Sequence, residues 1–246
     1  MDQIRQLQTI IDQGQRIVFF TGAGASTESG IPDFRSADGV YRKPWPIPPE
    51  EVISHHFFQQ HPQQFYQFYR QRMLFPQARP NAAHRVMAQL ERCGKSPGVV
   101  TQNIDHLHTL AGSRTVAELH GSVMRNYCVR CHHQEGLDFI LNAEEVPRCP
   151  RCGAIMKPDV VLYEEPLDPQ VVDLALRLIR SADVLIICGT SLSVYPAAGF
   201  LQQFSGNRLV VINRSATPVD EQADLCLRQP LAQTLAALRL PSSSDQ

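Results

Sequence analysis

The sequence lacks both a long hydrophobic run and an excess of charge of either sign. None of its apolar runs approaches the roughly 18–20 residues that span a bilayer. Its first residues have no basic stretch followed by an apolar core, so we expect neither a membrane segment nor a secretory signal. Lys and Arg number 23 against 24 Asp and Glu, which removes the general attraction to nucleic acid and anionic lipid of a basic chain. These absences predict a cytoplasmic protein that binds neither nucleic acid directly nor a membrane.

The length and composition predict a folded chain that is large for one domain. Its 246 residues are 43% hydrophobic and 19% charged, which excludes a disordered chain. Either one large core with an insertion or two unequal domains fits this length. In a reducing compartment, the seven cysteines are expected to be metal ligands, catalytic groups or core residues rather than disulfides.

The hydrophobic pattern predicts an α/β fold with a doubly wound parallel sheet. Short, unalternating apolar runs bounded by Gly, Ser or Asn are typical of strands buried on both faces. Four such runs are Ile17–Phe20, Gly98–Val100, Val184–Cys188 and Leu209–Ile212. Helical patterns lie between them, including one that Asn81 can cap and one that begins at Asp168.

Two segments interrupt the alternation of strands and helices. Residues 36–80 carry seven prolines and then the aromatic stretch Phe65–Tyr69, which indicates a loop followed by a small packed helix. Residues 126–153 hold four of the seven cysteines. We therefore predict a main domain from residues 1–35, 81–125 and 154–246. The other two segments, 36–80 and 126–153, would form a smaller domain.

The cysteine spacing predicts a structural zinc site. The pair Cys128 and Cys131 is followed, after 17 residues, by the pair Cys149 and Cys152. Two Cys-x-x-Cys knuckles at this spacing supply four thiolates to tetrahedral Zn²⁺ and leave no position open for water. Chance pairs or disulfides are the alternative.

Polar or glycine-containing loops follow all four predicted strands. The first strand runs into Gly22–Ser26, an arrangement that can place backbone N–H groups on a diphosphate, although a simple tight turn explains this loop alone equally well. The others end at Thr101–Asp105, Gly189–Ser191 and Asn213–Ser215. Because ligands bind at the carboxyl edge of open parallel sheets, the four loops together favour a dinucleotide. The pattern is not G-x-G-x-x-G, and no second strand with an acidic residue for a ribose follows promptly, which weakens a dehydrogenase interpretation.

In combination, the motifs resemble those of the sirtuin family, closest to bacterial members with deacetylase activity. The matching segments are 22–35 (GAGASTESGIPDFR), 101–105 (TQNID), 118–121 (ELHG), the two Cys-x-x-Cys pairs, 189–198 (GTSLSVYPAA) and the Asn213 loop. The resemblance implies a Rossmann-like NAD-binding domain, residues 36–80 as a cofactor-binding loop with a helical part, and residues 126–153 as a zinc-ribbon insertion. It also implies an NAD-dependent protein-lysine deacetylase that takes acetylated proteins or peptides, consumes NAD⁺ as co-substrate and holds one structural Zn²⁺.

The resemblance also implies a mechanism and roles for individual residues. The carbonyl oxygen of the acyl-lysine attacks the ribose carbon that bears nicotinamide, nicotinamide leaves, and an alkylimidate forms. A general base then acts through the ribose hydroxyls, and hydrolysis gives free lysine and acyl-ADP-ribose. His120 matches that base, although the residues alone do not rank it above the other histidines, and Asn103 matches a catalytic position. The resemblance implies that NAD contacts Gly22, Ala23, Gly24, Thr27, Phe34, Arg35, Gln102, Ile104, Asp105, Gly189, Thr190, Ser191, Asn213, Arg214 and Leu231. It further implies that the peptide binds as an added β-strand against Val160, Val161, Leu162 and Val194.

Three alternatives remain open from the sequence. Desuccinylating relatives pair a Tyr with an Arg three residues later to hold an acyl carboxylate. Ungapped alignment places Tyr66 and Tyr69 at those two positions, whereas a shifted register would pair Tyr69 with Arg72. Protein mono-ADP-ribosyl transfer would use the same cleavage of NAD. An NAD-sensing or zinc-ribbon binding module would keep the loops but tolerate loss of His120.

Overall fold

The computed structural model describes residues 2–34, 36, 39–42 and 44–240. In chain order, its strands are β1 Ile17–Thr21, β2 Gly98–Thr101, β3 Val116–Glu118, β4 Gly121–Cys128, β5 Gln134–Glu135, β6 Met156–Val160, β7 Val184–Cys188, β8 Arg208–Ile212 and β9 Leu225–Leu227. Its helices are α1 Gln3–Gln13, α2 Pro49–Val52, α3 His55–Gln60, α4 Pro62–Arg72, α5 Ala82–Arg92, α6 Leu107–Leu110, α7 Leu137–Asn142, α8 Pro169–Ser181 and α9 Leu231–Ala236. Among the residues that the structure describes, no helix has the length and apolar character needed to span a bilayer.

The main sheet is parallel, with the strand order β3-β2-β1-β7-β8-β9. The four predicted strands are confirmed as its central strands. Because β1 pairs with β2 on one side and with β7 on the other, the strand order reverses beside β1. In sheets of this kind, that reversal opens a crevice at the carboxyl ends of the strands.

Helices cover both faces of the main sheet, which explains why its strands are apolar without alternation. On one face, Leu7 of α1, Met87 of α5 and Leu235 of α9 are fully buried against the sheet. On the other face, Ile179 of α8 packs in a second core. The predicted helix starts are confirmed: the side chain of Asn81 accepts from the N–H of Ala83, and that of Asp168 accepts from the N–H of Gln170.

A second, antiparallel sheet has the order β5-β4-β6 and shares a third core with helices α2–α4. Phe65 and Tyr66 of α4 pack in this core beside Cys128 and Met156 of the sheet. The predicted packed helix and the Rossmann-like fold with a smaller cysteine-containing part are thus confirmed. β4 begins before residue 126 and β6 lies beyond residue 153. The domain bounds remain a prediction.

Candidate active site and zinc centre

Two glycine loops meet across the neighbouring strands β1 and β7. The N–H of Gly24 donates to the carbonyl of Gly189 at 2.8 Å, and a Cβ on Gly24 would lie 2.7 Å from the Cα of Gly189. Gly189 has a φ of +58°, and its own Cβ would come within 2.4 Å of the nitrogen of Ala25. Both positions therefore require glycine, because the backbones approach too closely for a side chain.

These loops border a cavity of about 1280 Å³ at the carboxyl edge of the main sheet. Every described residue that we predicted to contact NAD, to catalyse or to bind peptide lines this cavity. They are Gly22, Ala23, Gly24, Thr27, Phe34, Gln102, Asn103, Ile104, Asp105, His120, Val160, Val161, Leu162, Gly189, Thr190, Ser191, Val194, Asn213, Arg214 and Leu231. Arg35 lies outside the described residues. The structure thus brings the set together, and the role of each residue remains a prediction.

His120 stands in the short turn between β3 and β4, where it lines the cavity. Its Nδ1 lies 2.9 Å from the carbonyl oxygen of Gln102. Because a carbonyl only accepts, Nδ1 carries the proton and Nε2 keeps its lone pair. Burial lowers the pKa of His120 below its ordinary value of 6.5, although the bond to the Gln102 carbonyl opposes that shift. At neutral pH the imidazole is therefore uncharged and can act as a base.

Three other histidines are distinguished from His120 by their surroundings. His84 and His108 are buried, with ring centroids 4.8 Å apart. Burial lowers the pKa of His84 to about 4 and that of His108 well below its ordinary value. His106 lies with its Nδ1 3.3 Å from a carboxylate oxygen of Glu118. Among these four histidines, His120 is the one that lines the cavity.

Ser26 connects two of the predicted site residues and was missed by the sequence analysis. Its hydroxyl accepts from the side-chain amide of Asn103 at 3.1 Å and donates to a carboxylate oxygen of Asp105 at 2.5 Å. The other carboxylate oxygen of Asp105 accepts from the N–H of Leu107 at 2.9 Å. Burial raises the pKa of Asp105, and the bonds from Ser26 and Leu107 oppose that shift. Ser26 is also buried and lines the cavity, so it belongs to the site.

At the other end of the cavity, loops after β8 and before α9 are tied to one another. The side-chain amide of Asn213 donates to the carbonyl of Ser215 at 2.8 Å. Arg228 donates to the carbonyls of Asn213 and Ser215 at 3.3 and 3.2 Å. Leu231 begins α9, whose Ala232 N–H donates to a carboxylate oxygen of Glu28 at 2.7 Å. This end of the cavity therefore has a preformed backbone shape.

Two of the predicted peptide residues, Val160 and Val161, lie next to His120 in the cavity wall. Val160 ends β6, and the N–H of Val161 donates to the carbonyl of His120 at 3.0 Å. Val161, Leu162 and Val194 lie in loops rather than in strands. A peptide that paired here would be placed directly beside the imidazole.

Four cysteine sulfurs form a cluster beside the second sheet, at the end of β4. The Sγ atoms of Cys128, Cys131, Cys149 and Cys152 all lie within 4.8 Å of one another. Zn–S bonds of about 2.3 Å in a tetrahedron require S–S separations of about 3.8 Å. The Cys128–Cys152 and Cys131–Cys149 pairs are 3.4 and 3.6 Å apart, so the cluster fits a four-thiolate zinc site.

Tyr66 and Tyr69, the two tyrosines that could belong to a binding site for a succinyl carboxylate, are buried in the core. Tyr66 and Tyr69 are both 0% exposed, and the hydroxyl of Tyr66 donates to the carbonyl of Met156. Neither tyrosine lines the cavity. Arg72 does line it, with its guanidinium 5.5 Å from the ring centroid of Trp45. Neither proposed Tyr–Arg register therefore places its tyrosine in the cavity.

The fold and the site together define a class: a Rossmann-type dinucleotide-binding enzyme with a cysteine-rich insertion next to its ligand edge. Comparisons with known proteins narrow this class. The family model described as the Sir2 family matches residues 22–196, and the chain belongs to this family.

Curated relatives and solved structures match nearly the whole chain. An "NAD-dependent protein deacetylase" of Clostridium perfringens is 52% identical, covering 95% of this chain and 97% of the relative. A relative of the same name from Cutibacterium acnes is also 52% identical, covering 95% of this chain and 96% of its own. A structure described as "Sir2-p53 peptide-NAD+" is 38% identical with a TM-score of 0.84, covering 95% of both chains.

Proposed function

We propose that this protein is an NAD-dependent protein-lysine deacetylase, which transfers the acetyl group of acetyl-lysine to ADP-ribose and releases nicotinamide. The observation that carries this proposal is the single cavity where the glycine loops, Asn103, Asp105 and His120 meet beside Val160–Leu162. The similar proteins named above support it, since they carry the name of this activity or were described with NAD and a peptide.

In this function, His120 is the general base and Asn103 a second catalytic group. With the proton of His120 fixed on Nδ1 by the Gln102 carbonyl, its Nε2 is available to take a proton from a ribose hydroxyl. Asn103 is held by the Ser26 hydroxyl, which restricts its amide to one orientation. The resemblance assigns Phe34 a shielding role over the ribose, and its ring packs edge-on against Tyr41 with centroids 5.4 Å apart.

The remaining predicted contacts divide along the cavity. We assign the Gly22–Gly24 loop and Thr27 to the diphosphate, Ile104 and Asp105 to the nicotinamide carboxamide, and Gln102 to the ribose. Residues around the adenosine half would be Gly189, Thr190, Ser191, Asn213, Arg214 and Leu231. The Gln102 side-chain amide donates to the hydroxyl of Thr190 at 3.1 Å, so the ribose and adenosine loops are joined in this arrangement.

Zinc would have a structural role in this enzyme. Cys128, Cys131, Cys149 and Cys152 would hold one Zn²⁺ with a net charge of −2. Arg130, Arg148 and Arg151 lie within or beside the knuckles, where they offset that charge. Four protein ligands leave no open position, so zinc contributes to folding rather than to the reaction.

The proposed function predicts that release of nicotinamide depends on peptide. We expect release from NAD with an acetyl-lysine peptide, one deacetylated peptide per nicotinamide, and little release without peptide. A succinyl-lysine peptide is expected to react more slowly, because Tyr66 and Tyr69 are buried away from the cavity. Release without peptide, accompanied by ADP-ribose on protein, would instead identify a mono-ADP-ribosyltransferase. No release with any acyl peptide would favour a binding module.

Ser26→Ala is predicted to weaken the reaction of NAD. The substitution removes one donor to the buried carboxylate of Asp105 and the acceptor for the Asn103 amide. Hydrogen bonds to charged groups are worth about 1.5–3 kcal/mol, so kcat/KM for NAD should fall roughly 10–100-fold. Because the Ser26 hydroxyl lowers the pKa of Asp105, the loss should be larger at acidic pH.

Ser29→Ala is the matched control for this substitution. Ser29 lies three residues along the same segment, accepts from the side-chain amide of Asn81 at 3.0 Å and does not line the cavity. Steady-state kinetics of both variants would test the assignment. Wild-type kinetics for Ser26→Ala would contradict it.

Acetylated proteins or peptides are the expected partners. The cytoplasmic location and the lack of nucleic acid and membrane partners remain predictions from the sequence.

A further inference from the structure

A buried lysine lies behind the segment assigned to the peptide. The side chain of Lys157 is 6% exposed, and its Nζ donates to the carbonyl of Val160 at 3.0 Å and to a carboxylate oxygen of Glu165 at 2.9 Å. Lysine is rarely buried, because removing an ammonium group from water is costly unless it is paired and hydrogen-bonded. These contacts therefore need an explanation.

Glu165 joins three parts of the chain. The same carboxylate oxygen that faces Lys157 accepts from the N–H of Leu162 at 2.9 Å, and the other lies 2.7 Å from Nδ1 of His55 at the start of α3. Burial raises the pKa of Glu165, but the Leu162 N–H, His55 and Lys157 together lower it below its ordinary value. The carboxylate is thus ionised and receives donors from β6, the following loop and α3.

We propose that Lys157 and Glu165 are positioning residues for the acetyl-lysine peptide. They fix the Val160 carbonyl and the Leu162 amide, which are backbone groups of the segment 160–162 that the proposed function assigns to peptide binding. Holding this segment in one shape before the peptide arrives reduces the entropy lost on binding. The proposal rests on the proposed function, because it requires that the peptide binds at this segment.

The adjacent Glu164 provides a matched control. Its carboxylate oxygens accept from the N–H of His56 at 3.1 Å and lie 2.7 Å from Nδ1 of the same residue. The side chain is 50% exposed, and its hydrogen bonds to His56 involve no backbone group of residues 160–162. Glu164 lines the cavity as Glu165 does. Glu164→Gln therefore makes the same chemical change as Glu165→Gln at the same wall of the cavity, without removing a hydrogen bond to residues 160–162.

The test compares Glu165→Gln, Lys157→Met and Glu164→Gln in the full-length protein. Binding of an acetyl-lysine peptide flanked by alanines is measured as Kd, and KM for peptide, KM for NAD and kcat are measured by nicotinamide release. For Glu165→Gln and Lys157→Met we expect the peptide Kd and KM to rise roughly 10–100-fold, the range that hydrogen bonds to charged groups support. KM for NAD and kcat at saturating peptide should change less than about threefold. Glu164→Gln should match the wild type.

The double variant gives an independent readout. If Lys157 and Glu165 act as one unit, the peptide Kd of Lys157→Met/Glu165→Gln should be about equal to the higher of the two Kd values of the single variants. An unchanged peptide Kd in folded variants, or an equal rise in KM for NAD, would overturn the positioning role and leave the deacetylase assignment standing. A wild type that binds no peptide would overturn both.

His55→Ala keeps the test decisive if the ion-pair variants do not fold. His55 is 41% exposed, and its replacement leaves the Lys157–Glu165 pair intact. Loss of one donor to the Glu165 carboxylate should raise the peptide Kd about threefold or more without changing KM for NAD. A wild-type peptide Kd for His55→Ala would count against the proposal.

Discussion

His120→Ala is expected to lower kcat for deacetylation by about 10²–10⁴-fold, the range that a positioned general base contributes. The imidazole lines the cavity that also contains the peptide segment, with Nδ1 bonded to the Gln102 carbonyl and Nε2 available. If the base acts after nicotinamide has left, the variant should still exchange labelled nicotinamide into NAD in the presence of acetyl peptide. Parallel assays of exchange and of deacetylation would measure this difference.

The pH dependence gives a second readout for His120. A general base works only when it is unprotonated, and burial lowers the pKa of His120 below 6.5. The wild-type kcat should therefore be level through neutral pH and fall only at pH values below 6.5. His61→Ala, at an exposed histidine outside the cavity, should keep both the rate and this profile. Full deacetylation by His120→Ala would remove the residue from the mechanism.

The parts of the fold that sequence could predict are those with strong local patterns. The central strands are buried on both faces and so read as continuous apolar runs, such as Val184–Cys188. The edge strands β3 and β9 have three residues each and were not predicted; β3 ends in the charged Glu118, and the apolar run of β9 is only Leu225–Leu227. The cysteine cluster could be predicted because each Cys-x-x-Cys pair forms a knuckle within four residues of sequence.

The candidate site could be predicted only where local motifs carried it. Ser26 lies 77 and 79 residues from the partners Asn103 and Asp105, so no sequence spacing indicates their contact. The distinction between His120 and His84 likewise depends on which ring reaches the cavity and which is buried in the core. Pairings across the fold, including Lys157 with Glu165, follow from the packing of distant segments and have no local signature.

Loss of zinc is expected to cause a large loss of stability, and with it a loss of activity. Cys128 and Cys149 are buried in the same core as Phe65, Met156 and Val160, so the cluster supports both the helical segment and the peptide segment. Structural zinc contributes about 10–16 kcal/mol in zinc-finger peptides, which is comparable to the roughly 5–15 kcal/mol stability of a whole domain. Removing it should therefore unfold this part of the molecule.

Cys149→Ser tests this expectation. We expect the wild type to hold about one zinc per chain and the variant to hold less, with loss of deacetylation and a lower melting temperature. Cys93→Ser, at a half-buried cysteine outside the cluster, should retain zinc, stability and activity. Because the parallel sheet has cores of its own on both faces, the variant should keep NAD binding longer than peptide binding as temperature rises. A zinc-free wild type that is folded and active would refute the structural role of the metal.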